Sequence, residues 1–202
     1  KEEKLLDDHN EDSKLKILDE FLAQNILKIE KNLKNFVKDT YIILDNREFF
    51  PIEISIKKSH NGNSISQENL INPLNILKNL CQFSFKDKKI IHMLIENYQI
   101  DGKDYSFLPE NLKCNSFSLD IKFICLSKNL IEHYESILKK YHILVNQILN
   151  DEYIKEFQDQ QNPNIYTTAS RIISGYNNNE ISLVNKTLKR KGFFEKFFDL
   201  FS

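Results

Sequence analysis

Lys88–Ser127, reading KKIIHMLIENYQIDGKDYSFLPENLKCNSFSLDIKFICLS, holds two extended segments joined by a turn-rich connection. In the second segment Phe117, Leu119, Ile121, Phe123 and Cys125 alternate with Ser118, Asp120, Lys122 and Ile124. A period of two is the pattern of a strand with one face buried and the other largely wet, so a strand is predicted here. In the first segment Ile90–Ile95 is a short apolar run with His92 inside it. Glu96–Ile100 follows, and then Asp101-Gly102, a pair that favours a tight turn because glycine tolerates positive φ. The first strand is therefore expected to end near Ile100.

Upstream, Lys1–Asp12 is charged and poor in large apolar residues, which predicts a disordered lead-in. Leu15, Leu18, Leu22, Ile26, Ile29, Leu33 and Phe36 then recur at spacings of three and four, the mark of an amphipathic helix capped near Ser13. Tyr41–Leu44 and the alternating run around Ile52, Ile54 and Ile56 predict two strands, the second opening at Pro51. His60–Asn63 reads as a turn, and Ser64 or Ser66 caps a helix carrying Leu70, Leu74, Leu77 and Leu80. Pro73 lies inside that helix, so a kink or a restart capped by Asn72 is expected. Downstream of the central pair, Ser127 caps a helix running to about Tyr141, and Ile143–Leu149 reads as a last short strand. This order predicts an α+β fold: a small, mainly antiparallel sheet with helices packed on one face, plus a separate C-terminal amphipathic helix.

At 202 residues with 41% hydrophobic residues the chain can bury a real core. A net charge of −1 removes any bulk electrostatic case for nucleic acid, and the aromatic residues do not interleave with basic ones as single-stranded nucleic acid would require. The three cysteines, Cys81, Cys114 and Cys125, are widely spaced, which fits free thiols in a reducing compartment. No run approaches the length of a spanning helix and there is no apolar N-terminal signal region, so a cytoplasmic location is expected.

No catalytic constellation stands out, and no enzyme activity is expected. The glycines, Gly62, Gly102, Gly175 and Gly192, are isolated, so no phosphate-binding loop is present. His92, within a strand, reads as a packed or hydrogen-bonded residue, since no second metal ligand stands at a set spacing. His133 and His142 flank a helix and are expected to face solvent. Cys125 lacks a patterned base.

The order Ile91-His92, Tyr98-Gln99-Ile100-Asp101-Gly102, Leu108-Pro109 and the strand Leu119–Ile124 resembles the inserted subdomain of FtsA, the bacterial actin-like protein that ties the tubulin-like division ring to the membrane. Leu15–Leu149 is similar to the family's helix, insert and following strand. Asn162-Pro163-Asn164-Ile165-Tyr166-Thr167-Thr168-Ala169 resembles its late motif. The resemblance implies an adaptor that contacts division proteins, either the tubulin-like ring or later partners, and that also associates with itself. The phosphate loops of the family's actin-like core have no counterpart here, so no ATP or other cofactor is expected, and no metal.

The tail is read as residues 158–185, a polar segment and linker following the domain at 13–157, and then residues 186–202, an amphipathic helix. Wound at about 100° per residue, Phe193, Phe194, Phe197, Phe198, Leu200 and Phe201 share one arc, with Glu195, Lys196 and Asp199 opposite. Lys189, Arg190 and Lys191 lie just upstream. A basic cluster beside an aromatic face suits an anionic membrane surface, and FtsA carries its membrane-targeting helix in this place. The expected location is the inner face of the cytoplasmic membrane, as a peripheral protein. The alternative is a soluble protein-binding scaffold whose last helix packs on its own core.

Overall fold

The two extended segments do pair, but the sheet they build is buried on both faces at one end. The computed structural model describes residues 11–161 and 163–181. Of the predicted lead-in, residues 1–12, the first ten lie outside the described residues, while Glu11 and Asp12 open a helix. The predicted membrane helix, 186–202, also lies outside them. Along the chain come α1 (Glu11–Leu33), β1 (Asp39–Leu44), β2 (Phe49–Ser64), α2 (Gln67–Ser84), β3 (Lys88–Ile100), β4 (Lys103–Tyr105), β5 (Lys113–Ser127), α3 (Lys128–Lys140), β6 (Leu144–Asn150), α4 (Asp151–Glu156) and α5 (Ile165–Ile173). The fold class is α+β. One sheet is antiparallel in the order β2-β5-β3-β4, and β1 pairs with β6 in a separate parallel ribbon.

Phe117, Leu119, Ile121, Phe123 and Cys125 of β5 join one core with Leu70, Leu74, Leu77 and Cys81 of α2. Ile124 and Leu126, which the pleat sends to the opposite face, join a second core with α3, β6, α4 and α5. Helices thus cover both faces at the Leu126 end, which is why Phe123 to Leu126 are buried without interruption.

The turn after β3 forms as expected, with Asp101 at φ 46° and Gly102 at φ 82°, the two left-handed residues that a two-residue hairpin loop needs. The Asp101 carboxylate accepts from the backbone amides of Asn115 and Ser116 at 2.9–3.0 Å, fastening the hairpin tip to β5. The short strand β4 beyond this turn was not expected.

Other boundaries differ for physical reasons. The predicted turn at His60–Asn63 is an excursion within β2. Asn61 and Gly62 take positive φ, and the register to β5 jumps between Ser59 and Asn63 before the pairing resumes. α2 runs unbroken through Pro73, so no restart occurs. Asn69 closes its N-terminus by accepting from both the amide and the hydroxyl of Ser66. Ser127 stands at the start of α3 without a capping bond from its side chain, and the Lys128 amide donates to Asp87 O instead. α1 stops at Leu33, leaving Phe36 in an exposed turn.

Candidate functional site

The segment expected to be a linker, after α5, is bound to the sheet. Ile181 N donates to Met93 O at 2.8 Å and Ile95 N donates to Asn179 O at 2.9 Å, so these residues extend the sheet along the part of β3 that β4 leaves uncovered. Within residues 158–185, read from sequence as a polar segment and linker, the structure places α5 and then this sheet-bound stretch. A linker needs a solvated backbone, whereas this one supplies hydrogen bonds to a strand edge.

Side chains complete the attachment. β3 carries a bulge at Ile91, where its register to β5 skips a residue. Without it, His92 would point to the α2 face. With it, the ring packs at a tilt against Tyr153 in the second core, ring centres 4.6 Å apart. His92 has a fully buried side chain, and its Nδ1 lies 2.7 Å from Glu180 Oε1. The amide of Asn150 approaches Nε2 at 3.2 Å. Because an amide can only donate, Nε2 is the acceptor and the ring proton sits on Nδ1, directed at Glu180. Tyr153 OH donates to the other Glu180 oxygen at 2.7 Å and accepts from Asn177 Nδ2 at 2.9 Å. Burial, reinforced by the Glu180 carboxylate, pushes the Tyr153 phenol far upward, so it remains a donor. Asn150 also caps α4 by accepting from Tyr153 N at 2.7 Å, which orients the tyrosine. Every ring nitrogen of His92 is occupied. The cluster is a clasp, and its chemistry is positional.

The clasp fixes one wall of a groove of about 850 Å³. Leu70, Ile71 and Leu74 of α2, Ile95 and Tyr98 of β3, and Phe107, Leu108 and Ile181 supply its apolar lining. Tyr98 OH donates to Asn179 Oδ1, and Asn179 Nδ2 donates to Ser106 O at 2.8 Å, which ties the loop carrying Phe107 to the clasped segment. Ile71 and Phe107 are 58% and 68% exposed. The charged residues lining the groove, Glu68 and Glu110, are both acidic. An apolar trough with an acidic rim suits a segment that carries aromatic and basic side chains together.

A second surface is the outer side of β2, sixteen residues long and at the border of the sheet. Ile52, Ile54 and Ile56 are only half-buried there, and Pro51 and Lys57 interrupt the edge.

Of the residues singled out from sequence, His92 is found packed and hydrogen-bonded, His142 is exposed, and His133 is partly buried. The membrane-directed set, from Lys189 to Phe201, lies outside the described residues. Glu180, Tyr153 and Asn177 were missed, because nothing local in the sequence links them to a histidine about 60 to 90 positions away. Among the described residues there is no group of three metal-ligating side chains, and no helix is long and apolar enough to cross a membrane. A scan against protein-family models and a search of curated proteins find no match to the chain.

Proposed function

We propose that the chain is an adaptor of the FtsA type, linking division proteins to the inner face of the cytoplasmic membrane without chemistry of its own. The observation that carries this reading is the run Lys189-Arg190-Lys191 followed, after Gly192, by Phe193, Phe194, Phe197, Phe198, Leu200 and Phe201. Basic residues attract an anionic leaflet at about 1 kcal/mol each, and the aromatic face enters the headgroup boundary. The order of helix, paired strands, helix and strand from α1 to β6 supports the family reading, and the border of β2 offers a strand edge to a protein partner.

A second reading, a soluble binding module that keeps its tail on its own core, is favoured by the groove beside Ile181. Co-sedimentation with anionic vesicles separates the two. The parent chain is expected to pellet with anionic and not with neutral vesicles. The full chain carrying F194E, F197E and F198E stays in the supernatant with unchanged circular dichroism. A parent chain that ignores anionic vesicles removes the membrane half of the proposal.

A further inference from the structure

We infer that the groove between α2 and the Phe107 loop is the seat of the chain's own C-terminal segment, Phe193–Phe201, so that groove and membrane compete for one aromatic face. The docking itself stands on the groove. The competition rests on the membrane reading proposed above.

Three observations name this occupant. Ile181, from which residues 182–202 continue, is itself part of the groove lining. Eleven residues, 182–192, lie between Ile181 and Phe193, and at about 3.3–3.6 Å per residue such a tether can span roughly 40 Å. Charge is complementary, since the lining includes Glu68 and Glu110 and no lysine or arginine, while Lys186, Lys189, Arg190 and Lys191 precede the aromatic run. The clasp adds a fourth element. By holding Asn177–Ile181 against β3, it keeps the tether's origin at the groove and sets a high effective concentration, on the order of millimolar for a short connection. A local contact with a Kd of about 100 μM would then be filled about nine times in ten, and the tail's apparent affinity for vesicles would fall about tenfold.

The test is hydrogen exchange on the full chain without lipid, compared with F194E/F197E/F198E. Amides of the Phe107–Asn111 loop and the first turns of α2 are expected to exchange about tenfold more slowly in the parent. Vesicles of phosphatidylglycerol should return them to the variant's rate. Conversely, I71E/F107E, two changes at exposed positions, should raise vesicle affinity about tenfold, with I71A/F107A moving it in the same direction. Equal exchange in parent and tail variant overturns the docking, whatever the vesicles do. Protection that grows with protein concentration also overturns it, because the occupant is then another copy's tail. Protection that vesicles fail to release leaves the docking intact and refutes the membrane reading. Pelleting without protection does the reverse.

Discussion

Replacing Glu180 by alanine tests the clasp directly. The change strands two donors, His92 Nδ1–H and Tyr153 O–H, both on buried side chains. A buried donor left without a partner costs about 1–3 kcal/mol, so two set a range of about 2–6. The Glu180 side chain retains 14% exposure, which lets water reach the gap and puts the expectation near the lower half, at about 3 kcal/mol. For a domain of this size that is a fall of about 6–12 °C in Tm. E180Q keeps one acceptor and is expected to lose about half as much. Urea unfolding followed by circular dichroism measures both. A double-mutant cycle of E180A with Y153F isolates their coupling, expected between about 0.5 and 3 kcal/mol. If E180A unfolds within about 0.5 kcal/mol of the parent, as surface changes do, the segment is not held by these bonds and the clasp argument fails.

Cys81, Cys114 and Cys125 are all buried, and burial, with the neighbouring Cys81 thiol, pushes Cys125 up to about 12. Thiol reagents are expected to label the native chain far more slowly than the urea-unfolded one, and rapid native labelling would contradict the described core. The amides of Asn115 and Ser116 hold the Asp101 carboxyl below its ordinary value. The folded state therefore binds that proton less readily than the unfolded one. The contribution of Asp101 to stability is complete above the unfolded pKa, about 3.9, and is lost as pH falls through the lower folded value. D101N is expected to flatten the acid limb of stability against pH, and an unchanged limb would show that the carboxylate is not the group that matters.

The elements that could be read from sequence are those whose burial is one-sided and local. The alternation from Phe117 to Phe123 records burial of a single face, and it fails at Ile124, where the second core covers the other side. The helical spacing of Leu130, Tyr134, Ile137 and Leu138 likewise records contact with a single face. β2 beyond Lys58 was misread because an edge strand satisfies its outer side with water, and polar residues such as Asn61 and Asn63 remain admissible there. α4 is six residues long, too short for a period to show. His92 could be recognised as packed, yet the bulge at Ile91 that turns it toward Tyr153 leaves no mark in composition. Glu180 sits in an asparagine-rich run that resembles a linker in every local respect. Its role arises only when a strand 86 positions earlier comes alongside, as the Leu94–Glu180 bridge records.

The parallel ribbon of β1 and β6 has a consequence for how the chain is made. Asp39 lies opposite Leu144, so β1 leaves the ribosome with no strand to pair with until more than a hundred further residues have followed. The hairpin of β3 and β4, the neighbouring β5 and the covering α2 are by contrast close in sequence and can assemble during that wait, since loop closure favours short separations. Part of the second core must therefore remain open during synthesis, with Ile42 and Ile43 of β1 uncovered. Residues near that opening, more than those of the early-forming sheet, are where slow translation or a chaperone would change the yield of folded protein.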